Sequence, residues 1–241
     1  MPTDRLRSEP DIELLARMPV FGALSHSQMD RLTAASSFGE FEPKEVVVRG
    51  GAAFAERVHV LLSGTARLAA LSPDGRCFSV AMISRGLMYR PPEVRIELRY
   101  DLRWEAVSRC YVGTLRLDHF LAIISSSNVE DMGRILSELF GRGGGLLGRY
   151  PGFLNLDLRR RVAIALIELS EQFSVKDARG YLLRIAFSAR LIGEMIGASR
   201  PKVSLILSEF QRQGIIERDG RRIIIRADGI AELLNPRTAE T

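Results

Sequence analysis

The chain has 241 residues, 46% of them hydrophobic and 26% charged, which is enough for one large domain or two small ones with a sizeable core. Its net charge of +5 favours an anionic partner. The two cysteines show no CxxC or Cys/His ligand spacing, the N-terminus lacks the apolar segment of a signal peptide, and no apolar run approaches the ~20 residues of a membrane span. These features argue against zinc and iron–sulfur sites and predict a cytoplasmic protein without a metal centre.

The first predicted elements are helical. The stretch "DIELLARMPVFGALSHSQMDRLTAASS" (residues 11–37) has helical texture, and Ser25 followed by Gln28 fits a capping box at the start of a short helix.

A β-rich region follows Phe38. Asp74-Gly75 within "SPDGRC" predicts a hairpin turn, because this dipeptide tolerates positive φ. Several short strands at such spacing indicate a β-sandwich or barrel. The predicted strand segments are "KEVVVRGG", "RVHVLLSGTARLAALS", "RCFSVAMIS" and "WEAVSRCYVGTLRL".

The chain turns helical again from Leu117, with an apolar seam that predicts a dimer interface. The seam residues recur at steps of three and four over about three heptads, as in a helix packed against a partner helix. They are Val129, Met132, Leu136, Leu139, Gly143, Leu146 and Tyr150. One amphipathic helix lying on its own domain is the alternative. The run "GRGGG" (141–145) leaves open whether Gly143–Gly145 break this helix or let two backbones approach closely.

The last third of the chain predicts a helix-turn-helix with a β wing. After a helix in "LDLRRRVAIALIELSEQF", Ser188 caps a short helix that Gly197 ends, and Ser199 caps the next, with Pro201 in its first turn. Asp219-Gly220 then lies at the turn of a hairpin in "IIERDGRRIIIRAD".

This arrangement predicts an interface for double-stranded DNA. Residues 199–226 carry seven basic and three acidic side chains. The N-terminal residues of the second helix would meet base edges, and wing arginines would meet phosphates. The candidate DNA-binding residues are Ser188, Ser199, Arg200, Lys202, Ser204, Arg218, Arg221 and Arg222.

The order of these elements resembles the CRP/FNR superfamily of bacterial transcription regulators. The most specific part is "IGEMIGASRPKVSLIL", in which Gly197, Ser199, Arg200, Val203 and Leu207 fit the family pattern. The segment "VHVLLSGTARLAALSPDGRCFSVAMISRG" resembles the family's β-roll. The resemblance implies a homodimer, a palindromic operator and contact with RNA polymerase.

The fold class that follows is α+β, in three parts. Residues 1–120 are expected to form a jelly-roll-like β-roll sensor domain, residues 121–155 a long dimerisation helix, and residues 156–241 a winged helix-turn-helix domain.

Two departures from the family pattern bear on mechanism. Cyclic-nucleotide-binding members carry Gly-Glu and then Arg-Ser, where this chain has Arg90-Pro91 and Tyr100-Asp101. Proline has no carboxylate to hold a ribose, so we do not expect cyclic AMP to be the ligand. The candidate effector-pocket residues are Arg90, Arg99, Tyr100 and Arg103.

The second departure lies in the recognition helix. Many members have Glu and Thr after Ser-Arg, and an Arg three residues beyond the Thr. This chain has Pro201, Lys202 and Leu205 there, which predicts an operator unlike the common family half-sites.

Three alternative functions stay open at this point. A haem or thiol sensor would draw on His26, His59, His119, Cys77, Cys110 or the seven methionines, none of which lies in a recognisable motif. No cofactor is otherwise expected. A protein-interaction module with a vestigial cyclic-nucleotide-like domain is the second. An enzyme is the third, but the chain has no catalytic Ser/His/Asp arrangement or P-loop, so we expect no enzymatic activity and assign no catalytic residue.

Overall fold

The structure is a computed structural model of the chain. It describes residues 24–49, 56–88, 100–133 and 153–226, together with Leu15, Ala16, Met18, Phe21, Gly22, Ile135, Asp228 and Gly229. The chain divides into two compact units, one mostly within residues 1–143 and the other mostly within residues 144–241. Among the described residues, no helix combines the length and the apolar composition that crossing a bilayer requires.

The first unit begins with a capped helix. Helix α1 (His26–Ala35) starts at Ser25, whose hydroxyl accepts from the Gln28 backbone N–H while its own N–H donates to Gln28 Oε1. The Gln28 amide also donates to the Ile123 carbonyl at 3.1 Å, near the end of helix α2 (Leu117–Ile124). The predicted capping box is therefore confirmed, and it also ties the two helices together.

Within the described part of this unit, eight strands form two four-stranded sheets. The first sheet has the order β1-β8-β3-β6 and the second β2-β7-β4-β5. The Asp74-Gly75 turn joins β4 to β5 as predicted, and the Ser72 backbone closes it through bonds to Arg76 and Gly75. The strands are β1 (Ser37–Phe41), β2 (Val46–Arg49), β3 (Arg57–Ser63), β4 (Ala66–Leu71), β5 (Cys77–Ile83), β6 (Gly86–Met88), β7 (Asp101–Ala106) and β8 (Cys110–Arg116).

Strand alternation gives the first sheet two buried faces. Val60 and Leu62 of β3 pack with helix residues such as Phe120, whereas Leu61 faces the second sheet and packs with Trp104. One sheet thus lies between the helices and the other sheet, which is the β-roll arrangement that the sequence predicted.

The second unit is built on a long helix. Helix α3 (Leu158–Phe173) starts at Asp157, whose carboxylate accepts from the Arg160 backbone N–H at 2.8 Å. Its apolar residues are buried against a sheet and two further helices. The remaining elements are β9 (Ser174–Asp177), β10 (Gly180–Leu183), α4 (Ala189–Ile196), α5 (Arg200–Arg212), β11 (Ile216–Asp219) and β12 (Arg222–Arg226).

The sheet of the second unit has the order β11-β12-β10-β9, all antiparallel. The predicted wing is β11 and β12, which pair around the Asp219-Gly220 turn. The β9–β10 hairpin was not predicted. It extends the wing to four strands and gives Ile224 and Ile225 a place in the core.

Candidate nucleic-acid interface

The turn between α4 and α5 depends on two glycines. Gly197 ends α4 in the left-handed region, with φ of 68°, so that the chain reverses in three residues. Gly193 allows the turn to fold back, because a Cβ there would lie 2.4 Å from the Ala198 carbonyl oxygen. The Ala198 N–H donates to the Gly193 carbonyl at 2.9 Å. The helix-turn-helix geometry is therefore fixed by local sequence.

The two predicted caps differ in their hydrogen bonds. Ser188 caps α4, and its hydroxyl accepts from the Leu191 N–H at 3.2 Å. Its O–H proton stays available for a phosphate. Ser199 occupies the N-cap position of α5 with extended backbone, but its hydroxyl makes no bond to the helix within the described residues. The prediction of a side-chain cap at Ser199 is wrong, since Pro201 and the turn already set the start of α5.

Helix α5 has a buried face and an outward face. Val203, Leu207 and Phe210 are buried in the core of the second unit. The first turns expose four predicted DNA-binding residues, which are Ser199, Arg200, Lys202 and Ser204. In the described part of the chain, Arg200 and Lys202 have no ion-pair partner. Their charge is therefore available to a ligand.

An arginine that the sequence analysis did not single out holds α5 in place. Arg159 of α3 donates to Glu209 at 2.5 Å and to Gln213 at 2.7 Å, and its guanidinium lies 4.6 Å from the centre of the Phe210 ring. Arg161 donates to the Ile196 carbonyl at the end of α4, at 2.9 Å. Helix α3 thus anchors both helices of the motif. In the sequence, the run "LRRRV" (residues 158–162) is the feature from which these two anchoring arginines could have been predicted.

The wing presents its three predicted arginines differently. Arg222 is paired with Asp219 at 2.6 Å, so much of its charge is neutralised within the hairpin. Arg218 and Arg221 are exposed, and neither has an ion-pair partner among the described residues. Arg218 and Arg221 are therefore the stronger candidates for phosphate contacts, whereas Arg222 shapes the turn.

The candidate effector pocket is only partly described. Arg90 and Arg99 lie outside the described residues. Tyr100 is exposed just before β7, and Arg103 on that strand donates to Glu105 at 2.5 Å. Glu105 is buried and also accepts from Arg67 at 2.7 Å. The structure thus places Arg103 in an ion-pair network with Glu105 and Arg67.

The three histidines lie in different surroundings. His26 and His119 are exposed on helices. His59 is buried on β3, where its Nδ1 lies 2.9 Å from Thr114 Oγ1. Burial, with a smaller effect of Arg57, lowers the pKa of His59 to about 4, so the ring is neutral at physiological pH. Within the described residues, no three His, Cys, Asp or Glu side chains group closely enough to hold a metal ion.

The two cysteines occupy strand positions. Cys77 is partly buried at the start of β5, and Cys110 is buried at the start of β8. The Cys110 thiol lies 3.2 Å from the carbonyl oxygens of Thr65 and Ser108, and burial raises its pKa to about 11. Its thiolate is therefore scarce at neutral pH, which disfavours thiol chemistry at Cys110.

Most of the predicted dimer seam lies outside the described residues. Residues 129–133 are helical, Val129 is 89% exposed and Met132 is half-buried. Leu136, Leu139, Gly143, Leu146, Tyr150 and the Gly143–Gly145 run fall outside the described part. The seam stays a prediction.

Comparison with known proteins agrees with this arrangement. Residues 160–229 match the family described as the Crp-like helix-turn-helix domain. The chain is 22% identical over 220 residues to the CRP-like cAMP-activated global transcriptional regulator of Mycobacterium tuberculosis, covering 88% of this chain and 94% of that protein.

Two solved structures share the fold. FixK2 of Bradyrhizobium japonicum is 22% identical with a TM-score of 0.65, covering 86% of this chain and 99% of the other. A CooA mutant of Carboxydothermus hydrogenoformans is 19% identical with a TM-score of 0.66, covering 97% and 98%. Residues 160–229 thus carry a Crp-like helix-turn-helix domain, and the chain is similar over most of its length to a CRP-like transcriptional regulator and shares the fold of FixK2 and CooA.

Proposed function

We propose that the protein binds double-stranded DNA sequence-specifically through α5 and the wing, and that it does so as a homodimer on a palindromic operator. One observation carries the proposal. Arg200 and Lys202 project from the first turn of α5 without a counter-charge among the described residues, directly after a tight turn fixed by Gly193 and Gly197.

The roles follow from where each side chain lies. The second helix of such a motif enters the major groove with its N-terminal residues at base edges. Arg200 is suited to a bidentate bond with guanine, and Lys202, Ser199 and Ser204 to single bonds with a base or phosphate. Arg218 and Arg221 on the wing reach the sugar–phosphate backbone, which carries no sequence information.

The proposed dimer follows from half-site geometry. One recognition helix reads one half-site, and the two halves of a palindrome require two helices related by a two-fold axis. The exposed Val129 at the start of the predicted seam supports this part of the proposal. Regulation of transcription through contact with RNA polymerase in the cytoplasm completes it.

Cyclic AMP is not the proposed effector. The Mycobacterium tuberculosis relative is named as cAMP-activated, but this chain has Arg90-Pro91 where nucleotide-binding members place Gly-Glu. Arg103, a candidate pocket residue, already shares the buried carboxylate of Glu105 with Arg67. A ligand phosphate would have to displace a buried ion pair, which is costly.

The proposal is tested by selecting bound sequences from random duplex DNA with the purified protein. A palindrome with two equivalent half-sites is the expected result. Binding to that duplex is then titrated with salt, and log Kobs should fall linearly with log[salt] with a slope of about −0.9 per phosphate contacted. Absence of any enriched sequence together with a flat salt dependence would refute DNA binding.

A further inference from the structure

The outward face of α5 has an apolar residue at its centre. Leu205 is 68% exposed, whereas Val203, Leu207 and Phe210 of the same helix are buried. At 100° per residue, Leu205 points almost directly away from those three. It therefore occupies the position on α5 that would lie deepest in a groove.

The neighbours of Leu205 along this face offer little hydrogen bonding of their own. Pro201, one turn earlier, is exposed and has no N–H. Ser208, one turn later, donates its hydroxyl proton back to the Ser204 carbonyl at 2.9 Å. The ridge from Pro201 through Leu205 is thus apolar, with polar Lys202 and Ser204 on its two sides.

The major groove has one apolar feature that such a ridge matches. Base edges there present nitrogen and oxygen donors and acceptors, together with the C5 methyl group of thymine. Leucine cannot hydrogen-bond to these donors and acceptors, but it can pack against the methyl group. An exposed leucine on the outward face also costs free energy in the unbound protein, a cost that contact with a methyl group removes.

We infer that Leu205 is a specificity-determining residue that packs on the C5 methyl group of a thymine in each half-site. This inference rests on the proposed function, because it requires α5 in the major groove. It assigns thymine to one operator position, flanked by the base pairs that Arg200 and Lys202 contact.

The test replaces thymine by deoxyuridine at each thymine of the selected operator in turn. Deoxyuridine keeps every hydrogen-bonding group and removes only the methyl group. One position per half-site should show a loss of about fourfold in affinity, the effect of exposing one methyl group. Replacing cytosine by 5-methylcytosine in an operator with C at that position should recover a comparable factor.

The Leu205→Ala variant assigns the effect to this side chain. It should bind the thymine operator about fourfold more weakly per half-site and no longer distinguish thymine from deoxyuridine at that position. Leu154→Ala is the matched control, because Leu154 is 66% exposed in the same unit but lies outside α5. It should keep the full sensitivity to deoxyuridine. Far-ultraviolet circular dichroism checks that both variants fold.

The outcomes separate the inference from the proposed function. If no specific operator is selected, DNA recognition fails and the inference fails with it. If an operator is found but deoxyuridine has no effect at any position, DNA recognition stands and the role of Leu205 is overturned. The role is also overturned if Leu205→Ala retains the sensitivity to deoxyuridine, because another side chain then contacts the methyl group.

Discussion

Arg159 Nη1 lies 2.5 Å from Glu209 Oε1, which joins the first turn of α3 to the last third of α5. The same guanidinium lies over the ring of Phe210, so one side chain contacts both a charged and an aromatic residue of the recognition helix. This fixes the orientation of α5 relative to the helix that carries it. Arg159 is therefore a positioning residue for DNA recognition.

Arg159→Ala should lower the free energy of unfolding of the second unit by about 1 kcal/mol, since a half-exposed ion pair and one cation–π contact are lost. Binding to the selected operator should also weaken, because α5 loses a restraint. Thermal melting and fluorescence anisotropy measure the two effects. Arg160→Ala is the control, because Arg160 is exposed and, among the described residues, its ion pair is with Asp157, the N-cap residue of α3. Equal losses in both variants would contradict a positioning role for Arg159.

The helix-turn-helix could be predicted from sequence because its signals are local. Ser188, Gly197 and the Asp219-Gly220 turn each determine the conformation of a few neighbouring residues, and the structure has all three as predicted. The β9–β10 hairpin could not be predicted from sequence. Its four-residue strands show no apolar alternation, and they gain stability only by pairing with β12.

Contacts between distant residues account for the rest. Arg159 and Glu209 are 50 positions apart, and no pattern in the chain links them. The Arg103–Glu105 pair could have been predicted from the sequence, because alternate residues of a strand lie on the same face of the sheet.

The seam residues should control assembly. The double substitution Leu136→Asp and Leu139→Asp should yield monomers, because carboxylates at a and d positions cannot be buried against a partner helix. Tight operator binding should be lost with the dimer. Light scattering coupled to size exclusion measures the mass. Ser137→Asp, off the seam, should remain dimeric. If the double variant is still dimeric at micromolar concentration, the predicted seam is not the dimer interface.

Cyclic AMP should not bind. Pro91 supplies no carboxylate at the position where nucleotide-binding members use glutamate, and the Arg103 guanidinium is already bonded to Glu105. Isothermal titration calorimetry with the nucleotide in large excess should give no saturable heat, and the operator should bind equally well without nucleotide. A saturable isotherm in the micromolar range would contradict this expectation.

Stability of the first unit should depend on pH through His59. Unfolded His59 takes up a proton near pH 6.5, whereas burial lowers its folded pKa to about 4. Between these values the unfolded state binds more protons, so the free energy of unfolding falls as pH falls, by up to about 1.4 kcal/mol per pH unit.

Urea unfolding followed through the single tryptophan, Trp104, which is buried in this unit, measures that dependence. His59→Gln should flatten the slope between pH 6.5 and 4, and His26→Gln, at an exposed position, should not. If the free energy of unfolding depends on pH in the same way in the unmodified protein and in His59→Gln, the His59 ring is not the source of that dependence.

The final prediction concerns two arginines with different proposed partners. A bidentate Arg200–guanine contact provides about 1–3 kcal/mol of base discrimination, so Arg200→Ala should weaken specific binding by about 5- to 150-fold and relax preference at one base pair per half-site. Arg221→Ala on the wing should weaken all sequences similarly and make the salt slope shallower by about one unit per site. Competition binding with operator variants over a salt series measures both.

The two variants serve as controls for each other, because each removes one exposed arginine that has no ion-pair partner among the described residues. If Arg200→Ala leaves base preference unchanged and only flattens the salt slope, Arg200 contacts a phosphate. The discrimination would then have to come from Lys202, Ser204 and Leu205, the remaining first-turn and central side chains of α5. If Arg221→Ala changes base preference, the wing reads sequence and its hairpin lies in a groove rather than along the backbone.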